Sequence, residues 1–169
     1  GLLMYYNLVY QYGIEKFFSD FYQAGVNSVL IADMSINDAD EIVNYSKESG
    51  MDTVFMVTPN TADERVKSIA SQTTGFIYAV SVLGVTGSRN ELSGSIEKLI
   101  GRIKSVTDIP VCVGFGISKP EHAKAVAQSG ADGVIIGSAI IKMIESNLDN
   151  STKAKQQIAE FIKNVKGAI

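Results

Sequence analysis

Six short runs rich in Val, Ile, Leu, Phe and Tyr punctuate the chain: "LLMYYN", "SVLIAD", "TVFMVT", "FIYAVS", "PVCVGF" and "GVIIGS". They begin at intervals of about 23 to 34 residues, the length of one strand plus a returning helix. None alternates apolar with polar residues, the pattern of parallel strands covered on both faces. The segments between them, such as "GIEKFFSDFYQAG", "NDADEIVNYSKESG", "TADERVKSIASQTTG" and "KPEHAKAVAQSG", carry apolar residues at helical spacing, and several end in Gly, a helix C-terminal signal. Six βα units therefore predict an α/β fold with a parallel sheet. Two architectures fit: an open doubly wound sheet, or a (β/α) barrel with its site at the C-terminal strand ends.

The 169 residues are 46% hydrophobic and show no linker or composition shift, so one domain over residues 1–169 is expected. A net charge of −3 without a basic block argues against a nucleic-acid partner. Cys112 is the only cysteine. It excludes an intramolecular disulfide and a thiolate metal cluster, and inside "PVCVGF" it reads as a small buried hydrophobe. No run approaches the ~18 apolar residues of a membrane span, and the start "GLLMYYNLVYQYG" lacks the basic region of a signal peptide. A soluble, cytoplasmic protein is expected. A first residue of Gly running straight into apolar sequence reads as a fragment or processed chain.

The glycines discriminate among ligands. A dinucleotide fingerprint needs G-x-G-x-x-G early in the chain, whereas "GFGISK" lies late and has Lys119 in the third glycine position. No G-x-x-x-x-G-K-[ST] loop is present. Glycine does follow three successive strand runs: "SVLGVTG" after "FIYAV", "GFGIS" after "PVCV", and "GSAI" after "GVII". Glycine lets backbone approach an anion and present N–H groups, and a helix starting there adds its positive end. A phosphate cradle follows. Ser138, before the helical run "AIIKMI", either caps that helix or offers its hydroxyl to a phosphate oxygen.

The remaining candidates are ambiguous on residue type alone. Leu3, Tyr5 and Tyr78 have the parity to share an interior with a ligand, although such residues on buried strands also serve as plain core. Asp33 ends "SVLIAD" and points toward the site face, where a carboxylate is costly unless used or paired. Asp132 precedes its strand and belongs to the opposite face as a turn residue, and His122 reads as a solvated residue in the first turn of a helix.

Taken together, "GLLMYYNLVYQYGIEKF", "AGVNSVLIAD", "GFIYAVSVLGVTG", "GFGISKPEHAKAV" and "GADGVIIGSAI" closely resemble the C-terminal two-thirds of the tryptophan synthase α family. The resemblance implies an incomplete TIM-type (β/α) barrel of about six βα units, strands three to eight. It implies cleavage of indole-3-glycerol phosphate to indole and glyceraldehyde 3-phosphate by a retro-aldol step. It also implies a β-subunit partner that carries pyridoxal phosphate, and no cofactor in this chain. Matched residue by residue, Gly87, Gly116, Gly137 and Ser138 fall on phosphate-binding positions, with Thr86 beside them. Leu3, Tyr5, Leu30 and Phe115 fall around the indole pocket, and Tyr78 near the catalytic carboxylate. Asn7 and the turn after it lie where the family meets its β partner.

Two departures qualify the resemblance. The family's catalytic Glu and Asp belong to a strand and loop before Gly1, so the chain alone is expected to be inactive. Between Ser81 and Gly84 the chain reads Val82-Leu83, where many relatives have Arg in the first position. Two other readings stand beside the enzyme subunit: a non-catalytic phosphate-binding half-barrel or interaction fragment, and another phosphosugar barrel such as an isomerase or epimerase. A barrel lacking two strands has open edges, so self-association through them is also expected.

Overall fold

The computed structural model describes residues 1–80, 89–114 and 116–169, with residues 89–93 as backbone alone. The expectations on Ser81, Val82, Leu83, Gly84, Thr86, Gly87 and Phe115 lie outside the described residues. The chain divides into two compact units, Gly1–Tyr78 with Ile103–Pro110, and Ala79–Arg102 with Val111–Ile169.

The first unit opens with β1 (Leu2–Met4), α1 (Tyr6–Tyr12), α2 (Ile14–Gln23) and β2 (Ser28–Ile31). A 3-10 turn (Ile36–Asp38), α3 (Asp40–Ser49), β3 (Asp52–Thr53), β4 (Phe55–Val57), α4 (Asp63–Gln72) and the start of β5 (Ile77–Val80) follow. Strands β1, β2 and β3 form a parallel sheet in that order, with Leu2 opposite Val29, Leu3 opposite Leu30 and Ser28 opposite Asp52. Side chains alternate across a strand, so Leu2, Met4, Val29 and Ile31 share one face. That face packs on Val9 of α1, Phe17 and Phe18 of α2 and Ile42 of α3. Phe17 and Phe18 are buried and meet edge to face with centroids 5.3 Å apart, each contributing about 2–3 kcal/mol of burial.

Two local features differ from the sequence expectation. The run "LLMYYN" is strand only to Met4, and the expected turn after Asn7 is instead the helix α1. Its N-cap residue, Tyr5, provides no side-chain bond. The Asp33 carboxylate accepts the Tyr6 N–H at 2.7 Å instead, a tertiary cap that local sequence does not reveal. The run "TVFMVT" is broken at Val54, because Asp52 and Thr53 pair with β2 while the Thr53 carbonyl turns to accept the N–H groups of Thr74 and Gly75. Continuous apolarity hides such a change of partner. The glycine stop after α3 is as expected: Gly50 has φ 83° and its N–H returns to the Ser46 and Lys47 carbonyls.

The second unit contains the end of β5, most of α5 (Arg89–Lys104), β6 (Val111–Gly114) and α6 (Pro120–Gln128). It continues through β7 (Gly133–Ile135), α7 (Ser138–Glu145) and α8 (Ser151–Lys166). Strands β5, β6 and β7 lie in that order, and β6 and β7 run parallel with Cys112 opposite Gly133 and Gly114 opposite Ile135. Helix α8 packs on α6 and α7, burying Ala154, Phe161 and Val165. Asn147 ties α7 to α8 by donating to the Met143 carbonyl and to Gln157 Oε1, each at 2.8 Å.

Asp132 behaves as expected of a residue at the strand starts. Its Oδ2 accepts the Val111 N–H at 2.8 Å, and its own N–H donates to the Val111 carbonyl. Cys112 is half-buried rather than enclosed. Burial, with the Asp132 charge second, pushes its thiol pKa up. Among the described residues no helix is long and apolar enough to cross a membrane.

Candidate functional site

The C-terminal ends of β6 and β7 carry the first group of candidates. Because Gly114 and Ile135 are register partners at those ends, Gly116 and Gly137 each leave a neighbouring strand two residues beyond the pairing. Adjacent strands lie about 4.8 Å apart, so the strand ends that lead to the two glycine turns are neighbours. Gly116 has φ 81°, a left-handed conformation that favours glycine by itself. Gly137 is different. Its φ is −118°, and a Cβ built there would meet no atom within 4 Å. Crowding inside the described chain therefore does not demand glycine at 137, which leaves close approach by a ligand as a reason for it.

Gly137 is the N-cap of α7, and its carbonyl accepts the N–H groups of Ile140 and Ile141. The earlier N–H groups of such a helix have no intrahelical acceptor and form its positive end. The first turn of α7 contains no acidic residue to neutralise that end. Ser138 is the first helical residue and exposed, one position beyond the N-cap Gly137. Of its two expected roles, capping is not realised, since Gly137 is the N-cap, and its hydroxyl stands at the helix start with the first amides of α7. The arrangement suits a multiply charged oxyanion.

In the first unit, Leu3 and Leu30 are brought together as register partners on the sheet face opposite the helix-packed cluster. Leu30 is 5% exposed and Leu3 63%, and Tyr5, next on the same side of the chain, is 61% exposed. These residues make an apolar face open to an occupant. Tyr78 sits on β5, half-buried, between the enclosed Ile77 and Ala79. Burial raises its phenol pKa, so the group is a neutral hydrogen-bonding hydroxyl near neutral pH.

Among the described residues, Leu3, Tyr5 and Leu30 do not line the cavity around Asp33. Asp33 lines a space of about 390 Å³ at the ends of β2 and β4, with Ser35, Ile36, Phe55, Thr58 and Arg65. There Arg65 donates to Ser35 Oγ at 2.9 Å. One Asp33 oxygen is already committed to the Tyr6 N–H, which gives that carboxylate a structural role. The sequence reading passed over Arg65, since a lone Arg in the first turn of an amphipathic helix has no distinguishing pattern. His122 reads from the sequence as a solvated residue. His122 is half-buried, and its Nδ1 accepts the Ser118 N–H at 3.4 Å.

A pair of glycine turns at neighbouring parallel strand ends, one opening a helix, is shared by many phosphate-binding barrels; relatives narrow it. A family model described as tryptophan synthase alpha chain matches residues 1–169. The tryptophan synthase alpha chain of Methanoregula boonei is 41% identical over 166 residues, 98% of this chain and 63% of that protein. Its counterpart in Methanocaldococcus jannaschii is 43% identical over 155 residues, 92% of this chain and 55% of that protein. The chain thus spans about three-fifths of the length of the curated relatives it matches. Among solved structures, the tryptophan synthase α2β2 complex of Pyrococcus furiosus aligns with a TM-score of 0.87 at 37% identity, over 98% of this chain and 66% of that one. The α subunit from the same organism aligns with a TM-score of 0.85 at 36% identity, over 98% of this chain and 65% of that one. With parallel strands in the expected order and agreement along its whole length, the chain has the (β/α) barrel type of fold and belongs to the tryptophan synthase alpha chain family.

Proposed function

We propose that this chain is the phosphate-gripping and pocket-forming part of a cytoplasmic tryptophan synthase α subunit, folded as one incomplete barrel domain over residues 1–169. The subunit cleaves indole-3-glycerol phosphate to indole and glyceraldehyde 3-phosphate in tryptophan biosynthesis. One observation supports the reading: the β6–β7 register ends at Gly114 and Ile135, so neighbouring strand ends lead on to Gly116 and to Gly137 with Ser138 at the positive start of α7. Backbone amides at that point hold the phosphate, joined by Gly87 and Thr86. By the family resemblance, Leu3, Tyr5, Leu30 and Phe115 are assigned to the indole, and Tyr78 to the reacting end.

The chemistry needs a proton delivered to the indole ring and one removed from a glycerol hydroxyl, by groups within hydrogen-bond reach of the substrate. One Asp33 oxygen is engaged by the Tyr6 N–H as a helix cap, and we assign the acid–base pair to carboxylates outside these 169 residues. Phosphate binding energy assists a reacting centre only where reactive groups exist to use it. The 169-residue chain is therefore expected to bind without turning over. Indole release from indole-3-glycerol phosphate should be seen with a full-length α chain carrying this sequence and not with residues 1–169; clear turnover by the shorter chain would refute the assignment.

For partners, α1 presents Leu8 at 51% and Tyr10 at 67% exposure beside Asn7, an apolar surface suited to a β subunit. Strand β1 is the edge of its sheet, and with Leu3 and Tyr5 exposed it suits pairing with a second copy. Light scattering that finds a monomer with a single cooperative melt would contradict self-association.

A further inference from the structure

Between Gly116 and the start of α6 at Pro120 lie three residues, and they are held very differently. Ile117 is 3% exposed and anchors the turn in the interior. Ser118 and Lys119 are exposed. Lys119 is the N-cap of α6 and makes no side-chain capping bond, while its carbonyl accepts the N–H groups of His122 and Ala123. Pro120, at the helix start, has no N–H to offer. The side-chain bond that joins turn to helix comes from His122, whose Nδ1 accepts the Ser118 N–H at 3.4 Å.

The geometry is that of a capping box displaced by one residue. In the usual form a side chain in the third helical position reaches back to the N-cap N–H. Here His122 occupies that third position and reaches one residue further, to Ser118. Ser118 is two residues from Gly116, so the bond fixes the peptide direction just after the left-handed turn. An acceptor at Nδ1 requires the neutral imidazole with its proton on Nε2.

We propose that His122 is a positioning residue for phosphate binding, acting through the Ser118 amide to hold the Gly116 turn in its binding conformation. The proposal rests on the reading of Gly116 as a phosphate contact. His122 does not itself touch the ligand. It limits the conformations from which the Gly116 turn must be recruited, and so lowers the ordering cost of binding.

The test uses the full-length α chain, with inorganic phosphate and glycerol 3-phosphate as probes in calorimetric titrations, and a thermal melt of each variant. His122→Ala removes the acceptor and is expected to weaken binding of both probes about fivefold, the scale of one net hydrogen bond. His122→Asn places Oδ1 the same number of bonds from Cα as Nδ1, and should bind within twofold of the parent. His122→Gln sets its acceptor one bond further out and should resemble His122→Ala while keeping a good helix former in the turn. Restoration by Asn but not by Gln supports the proposal. Equal losses in all three variants, or no loss in His122→Ala and His122→Gln, overturn it while leaving the phosphate reading in place. A parent protein that binds neither probe overturns both. Should His122→Ala fail to melt cooperatively, the Gln and Asn pair decides the matter alone.

Discussion

The contact between β6 and β7 sets the candidate phosphate site, and it can be perturbed at one defined point. Gly133 faces Cys112 across the pair. A Cβ at 133 would lie 2.8 Å from Cys112 Sγ, about 0.6 Å short of the 3.4 Å where ordinary contact begins, and 3.8 Å from Cys112 Cβ. Overpacking of this kind costs about 1–3 kcal/mol, and because a half-buried cysteine can turn about one bond, the lower half of that range applies. Gly133→Ala should thus destabilise by about 0.5–1.5 kcal/mol after the gain of about 0.5 kcal/mol from replacing glycine within a strand. Cys112→Ala alone should cost about 0.5–1 kcal/mol of lost burial. In the double variant the sulfur is gone and the remaining 3.8 Å contact is comfortable. Its stability should exceed the sum of the single effects by about 1 kcal/mol or more, beyond the usual additivity error. Urea unfolding of the four full-length proteins, with equal m-values, measures this cycle. Glycerol 3-phosphate affinity should follow the same order, because β7 leads directly into Gly137. Additive losses would refute the claim that this pairing distance is tight and that Gly133 is required by it.

Other expectations follow from single contacts. Asp33→Ala should destabilise by about 1 kcal/mol through loss of the α1 cap. Asp33→Asn, which keeps an oxygen for the Tyr6 N–H, should cost only a few tenths; a large loss of turnover in Asp33→Asn with stability intact would show a catalytic carboxylate instead. Phe18→Ala, at a position with 0% exposure, should cost about 3–5 kcal/mol, measured by denaturant unfolding; a loss below 1 kcal/mol would place the first unit's core elsewhere. Burial and Asp132 raise the Cys112 thiol above its ordinary 9.0. The folded protein should accordingly react with a thiol reagent at pH 8 more slowly than the protein in urea. The matching stability is fully present below pH 9 and is lost as pH rises through the raised folded value; faster reaction in the folded state would contradict the direction of the shift.

Much of this was legible in the sequence, and the exceptions have physical causes. The six strand runs and the main helices announce themselves because both-sided apolarity and helical spacing are local properties. The candidate phosphate glycines were legible as a set because each follows a strand run, although only the register of β6 with β7 shows that the strand ends leading to Gly116 and Gly137 are neighbours. The helix over Tyr6–Tyr12 was not legible, since its start is capped by Asp33 from 27 residues away. The break at Val54 was hidden because apolar side chains do not report which neighbour their backbone bonds. The turn-fixing role of His122 was missed for a related reason: a histidine in a first helical turn is ordinary until its Nδ1 is seen facing the Ser118 N–H.

The turns at Gly116 and at Gly137–Ser138 are together expected to grip a phosphate. That grip is tested most directly by titrating the full-length α chain with glycerol 3-phosphate and following assigned backbone amide resonances. Saturable shifts are expected at Gly116, Gly137 and Ser138, with little change at Ser35 and Arg65. Shifts confined to the cavity of Asp33 and Arg65, or none at the two glycine turns at saturating ligand, would contradict it.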